Sequence, residues 1–189
     1  MRFRLILFFV VLSSLAISWP AAAQDDGFGP VDKAEGKYFT IYYTPQTELS
    51  GLVRQLDLSL SEELLAGRPL EKNPAAQTDL AGAIDTLFLR VCDILDMGLY
   101  SFEGVIKVCK DKAELSRIYA NIFGKALKAH SFYVYNSNTV YISAENFKRE
   151  ILGHEIAHAV MSRYFVVLPP EKIQEVLAGY VEYQLGKTE

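Results

Sequence analysis

The sequence predicts one α+β domain with a small, mostly antiparallel sheet, and three observations carry that reading. The chain has 189 residues, half of them hydrophobic and 12% aromatic, which suits a single globular core and argues against disorder. Apolar residues recur at helical spacing in some stretches, while others are dense in β-branched and aromatic residues, as strands are. The order of these stretches is strand, helices, strand, helix, hairpin, helix, helix, which suits an α+β fold. No internal repeat or second domain is visible, so the chain divides into residues 1–23, 24–37 and 38–189.

The first segment reads as an export signal. Arg2 and Arg4 supply a short positive region, Leu5 to Leu12 is an unbroken apolar run, and Ala21-Ala22-Ala23 offers small residues for cleavage after Ala23. Cleavage would take Lys and Arg from 19 to 17 against 23 acids, moving the net charge from −4 to −6. The apolar run is short against the roughly 20 residues of a spanning helix. No Cys follows the small residues. A stable membrane anchor is therefore not expected after cleavage, and the protein is expected to be periplasmic or secreted.

Residues 24–37 are polar and Gly-containing and read as a flexible lead-in. Tyr38 to Thr44 reads as a strand. Leu49, Leu52, Val53, Leu56, Leu60 and Leu64 then mark an amphipathic helix that Gly67-Arg68-Pro69 stops. Thr78-Asp79 can cap a second helix to about Met97, with Leu80, Ile84, Leu87, Val91 and Leu95 on its stripe. Phe102 to Cys109 reads as a strand and Asp111 to Phe123 as a shorter helix. Phe132 to Tyr135 and Thr139 to Ile142 form a hairpin pattern joined by Asn136-Ser137-Asn138, which lacks the usual Gly. Ser143 is expected to cap a helix to about Tyr164. Pro169-Pro170 breaks the chain before a last helix to Leu185.

The acidic balance, without a basic run beyond the first residues, argues against a nucleic-acid partner. Cys92 and Cys109 are the two cysteines. In an exported protein they can form a disulfide closing a short loop between a helix and the next strand; the alternative is two buried thiols.

The chemistry concentrates at His154-Glu155-Ile156-Ala157-His158. Residues four apart on a helix share one face, so two imidazoles can bind one tetrahedral zinc ion. Glu155, next to the first histidine, can instead reach a water in the open coordination position and act as general base. Ile151, Leu152, Ile156, Ala157, Val160 and Met161 make this helix largely buried, where histidines and a glutamate are costly without a purpose. A third ligand is needed, and the last helix offers Glu171, Glu175 and Glu182 near one face. Periodicity does not choose among them. Glu171 sits in the first turn and Glu182 near a chain end, while central Glu175 is followed by Ala178 and Gly179, small residues that let two helices approach.

Together, Gly153 to His158, Leu168-Pro169-Pro170 and Glu175-Val176-Leu177-Ala178-Gly179-Tyr180 resemble the gluzincin branch of zinc metallopeptidases, with strand Thr139 to Ser143 just ahead. The resemblance covers about the last third of the chain. It implies a zincin-like fold, Glu155 as general base and Glu175 as third zinc ligand. Val176 stands where small bacterial members often carry Gly. Larger members add a domain that supplies an oxyanion-stabilising Tyr or His. This chain resembles a minimal, single-domain member, leaving Tyr180, with Tyr183 and His130 behind it, to offer that donor. The resemblance also implies that Thr139 to Ile142 pairs with an extended substrate.

The expected function is an exported zinc peptidase acting on a peptide or protein. The alternatives are a zinc-binding adaptor without turnover and an exported domain with a chance motif.

Overall fold

A computed structural model describes residues 26–29, 31–56, 76–99 and 101–187. The expected export signal, the second half of the helix expected over Leu49 to Leu65 and the loop after it lie outside the described residues. Among those described, five strands build one sheet: β1 (Asp32–Glu35), β2 (Phe39–Tyr43), β3 (Gly104–Cys109), β4 (Ser131–Val134) and β5 (Thr139–Ser143). Five helices accompany it: α1 (Leu49–Leu56), α2 (Ala76–Leu95), α3 (Lys112–Phe123), α4 (Arg149–Tyr164) and α5 (Glu171–Gly186).

The domain is α+β, but its sheet is mixed rather than mostly antiparallel. The order is β1-β2-β3-β5-β4. β1–β2 and β4–β5 pair antiparallel, while β2–β3 and β3–β5 pair parallel. Connection length is the cause. A tight turn reverses the chain, whereas α1 and α2 between β2 and β3, and α3 beyond β3, carry it back to the edge it started from.

Two local expectations change, and of the two readings for the cysteines the structure has the thiols. Asp32–Glu35, within the expected flexible lead-in, is an edge strand paired from Asp32↔Tyr43 to Glu35↔Thr40. Ser143 does not cap the motif-bearing helix; it ends β5, a 3-10 turn over Ala144–Asn146 follows, and α4 begins at Arg149. Cys92 and Cys109 form no disulfide, and both are buried free thiols. Cys92 packs among the helices of the larger core, whereas Cys109 points to the other face of the sheet from its neighbour Val108. Burial raises both thiols, Cys92 to about 11. The hairpin forms as expected, with Asn138 at φ 48° supplying the left-handed residue for which Gly is the usual choice.

The sheet divides the core in two. One face, with Phe39, Ile41, Ile106, Val108, Val140 and Ile142, packs against α1, α2, α4 and α5. The other carries a smaller cluster of Cys109, Leu115, Ile118, Phe132 and Tyr141 beneath α3. There Asp26 accepts hydrogen bonds from Lys107 Nζ, from Tyr141 Oη at 2.6 Å and from the Phe28 N–H at 2.9 Å. Burial alone would raise the Asp26 carboxyl, but these bonds and the Lys107 charge outweigh it and hold the group below its ordinary range.

Helix α4 is buried almost all round, through Leu152, Ile156, Ala157, Val160 and Met161. Against it lies α5, which buries only Ala178, Val181 and Leu185. A Cβ on Gly153 would sit 2.2 Å from Leu185 Cδ1, so this glycine permits the close approach of the two helices. Gly179, expected to help, has nothing within 4 Å of where its Cβ would be. Among the described residues no helix is long and apolar enough to cross a membrane.

Candidate metal centre

The helical spacing does what the sequence implies. His154 and His158 stand on one face of α4, their Nε2 atoms 3.3 Å apart. The neighbouring α5 brings Glu175 to both: Oε1 lies 3.4 Å from His158 Nε2, and Oε2 lies 3.6 Å from His154 Nε2. Ligand atoms of these three residues all fall within 4.8 Å of one another. Two imidazole lone pairs and a carboxylate facing each other are mutually repulsive unless a proton or cation lies between them. A tetrahedral zinc with bonds of about 2.0–2.1 Å would separate its ligand atoms by about 3.3–3.4 Å. The donor types and their spacing thus fit a zinc ion, which His154, His158 and Glu175 would hold.

Glu182, weighed in the sequence as a rival ligand, takes a different place. Its Oε2 lies 3.0 Å from His154 Nδ1, on the far side of the ring. With the Nδ1 proton donated to that carboxylate, the Nε2 lone pair faces the cluster, the arrangement that orients metal-binding histidines. Glu171 lines the cleft beside the cluster without belonging to it.

Glu155 is buried and accepts a hydrogen bond from Ser131 Oγ at 2.7 Å. Desolvation pushes its carboxyl up to about 7, against the opposing pull of the Ser131 bond and His154. Burial and the neighbouring His154 together lower His158. Both groups open onto a cleft of about 490 Å³, bounded by β4 on one side and by Leu168, Glu171, Gln174 and Glu175 on the other.

Comparison with family models, with curated proteins and with solved structures finds no match to this chain.

Other expected participants lie elsewhere. Tyr180 and Tyr183 are half-exposed on α5 and do not line the cleft, and exposed His130 does not line it either. Three tyrosines do line it, Tyr119 from α3 and two from the β4 segment. Tyr133 Oη donates to Asn138 Oδ1 and lies 2.8 Å from Ser162 Oγ, while Tyr135 is exposed. The strand expected to meet a substrate, Thr139 to Ile142, is β5, which is buried and paired on both sides by β3 and β4. Its backbone has no open hydrogen-bonding edge. Among the described residues, the open edge beside the cleft belongs to β4. Ser131 carried no sequence signal, because its role arises only when β4 lies over α4.

Proposed function

We propose that this chain is an exported zinc-dependent peptidase of gluzincin type, hydrolysing peptide bonds in a peptide or protein substrate. The observation that carries the proposal is the convergence of His154, His158 and Glu175 at 3.3–3.6 Å, with buried Glu155 beside them in an open cleft. Two nitrogens and one carboxylate oxygen are a donor set typical of catalytic zinc. Zinc bound there would supply Lewis acidity, making water acidic and polarising a carbonyl. Glu155 is the base that takes the proton from water and returns it to the leaving amine. Its raised affinity for a proton suits both halves of that task, and Ser131 holds the carboxylate in one orientation. Glu182 fixes the ring of His154. The edge of β4, unpaired among the described residues, offers backbone groups to an extended peptide. The basic, apolar and small-residue run of residues 1–23 supports export to the periplasm or beyond.

Metal analysis and peptide hydrolysis test the proposal together. The expected result is one zinc per chain and a cleavage activity that Glu155→Gln removes while zinc is retained. Protein that takes up no zinc, even after incubation with it, would overturn the reading. A zinc-binding adaptor without turnover is the second reading, favoured by the placement of Tyr180 and Tyr183 outside the cleft. Full zinc occupancy without cleavage across a broad peptide library would select it.

A further inference from the structure

The cleft continues past the histidines, round the open edge of β4, onto the other face of the sheet. There Tyr119 and Phe123 of α3 and Phe132 of β4 line it. Their ring centroids lie 4.6 Å (Tyr119–Phe123), 4.9 Å (Tyr119–Phe132) and 6.0 Å (Phe123–Phe132) apart, the spacing of an interacting aromatic cluster. Phe132 is buried, yet Phe123 is 43% exposed at the rim. A lone exposed ring needs no explanation. This one is the open member of a cluster that shares a cleft with the three candidate ligands.

Strand geometry connects the two halves of the cleft. Side chains along a strand alternate between faces. On β4, Ser131 and Tyr133 reach Glu155 and Ser162 on the helix side, while Phe132 stacks on Tyr141 on the other. A peptide laid along the open edge of β4 inherits the same alternation. When one of its residues faces α4, the side chain of the next falls on the aromatic side.

We propose that Tyr119, Phe123 and Phe132 form a side-chain subsite, and that the substrates are extended peptides carrying Phe, Tyr or Leu beside the reacting bond. The inference rests on the peptidase reading for its chemistry, but its binding step stands apart from zinc and from turnover.

The test uses acetylated, amidated hexapeptides of Ala and Ser in which a single Phe is moved from position to position. Their binding to the Glu155→Gln protein is measured by calorimetry, with and without zinc. The Phe peptides should bind at least about tenfold tighter than the all-Ala/Ser peptide in the best register, a discrimination typical of an apolar pocket. Adding Phe123→Ala should erase that preference, and Phe123→Leu should keep most of it. In NMR spectra of the unsubstituted subsite, the Phe123 and Tyr119 ring protons should shift on peptide addition. That reading also decides the matter if Phe123→Ala fails to fold. No preference for Phe, a preference that survives Phe123→Ala, or unmoved ring signals would overturn the inference. A retained preference in a protein that neither binds zinc nor cleaves peptides would support the subsite and sink the peptidase reading alone.

Discussion

Asp26, on the sheet face beneath α3, accepts hydrogen bonds from Lys107, Tyr141 and the Phe28 N–H, whereas Glu155, on α4 at the other face, accepts one, from Ser131. Both carboxyl groups are largely taken out of water. The first is held below its ordinary range because its bonds and the Lys107 charge outweigh its desolvation. The second is pushed up to about 7 because one hydroxyl does not. A carboxylate whose partners complete its shell ties structure together. One left short of partners at the wall of a cleft costs stability and is positioned for proton transfer. The N-terminal segment and the motif helix thus treat the same functional group in opposite ways.

The largest expected effect tests whether acidic groups near the cleft act on ligands rather than on folding. Glu182→Ala should weaken zinc binding about 10–100-fold, the usual consequence of removing a histidine's orienting partner. The loss is measured by competition with a chromophoric chelator. Because Glu182 is half-exposed, the melting temperature of the metal-free protein should stay nearly unchanged. A fall in stability with unaltered zinc affinity would place Glu182 on the structural side of the comparison.

Asp26→Asn comes next. It removes one partner of a mostly buried ion pair and leaves Lys107 uncompensated, so the fold should lose about 1–2 kcal/mol by urea denaturation at pH 7. The sign with pH follows from the lowered carboxyl. Its stabilising contribution is present above the unfolded value of 3.8 and is lost as pH falls through the still lower folded value. The difference between the native protein and Asp26→Asn should therefore shrink below about pH 4. Glu155→Gln should act in the opposite direction. Replacing an under-compensated buried charge by a neutral amide should stabilise the metal-free protein by about 1 kcal/mol. If both substitutions destabilise equally, the contrast between the two carboxylates fails.

The unequal legibility of these features follows from what a local pattern encodes. His154, Glu155 and His158 were readable because a four-residue spacing on one helix is itself the geometry. The helices and the hairpin were readable for the same reason, since periods of 3.6 and 2 residues are local. Glu175 and Glu182 share a helix face, so only the approach of α4 separates an inward carboxylate from one behind the ring. Ser131 meets Glu155 across 24 residues of chain, and Tyr141 meets Asp26 across 115. Neither contact leaves a trace in periodicity. The parallel strand pairs escaped because register across β3 depends on how long helical connections return. β1 escaped because Asp32–Glu35 is too polar to resemble a buried strand.

Gly153→Ala is the smallest expected effect, and it asks whether the site side gives up stability a second time. A glycine inside α4 costs the helix about 0.8–1.0 kcal/mol relative to alanine. The new Cβ would meet Leu185 Cδ1 at 2.2 Å, an overlap that forces the leucine or the whole of α5 outward. Overpacking of this kind typically costs about 1–3 kcal/mol. Leu185 lies in the last turn of α5, so a small outward shift of that helix accommodates the Cβ; the cost should fall at the low end and the two terms should nearly cancel. Urea denaturation should then register a change within about 1 kcal/mol. The metal site should register more, because Glu175 rides on the displaced helix while both histidines stay on α4. Zinc affinity should drop several-fold in a protein of almost unaltered stability. A variant that gains the full helix-propensity benefit and binds zinc as before would mean that Leu185 simply changes rotamer, and that the distance between α4 and α5 is not set at Gly153.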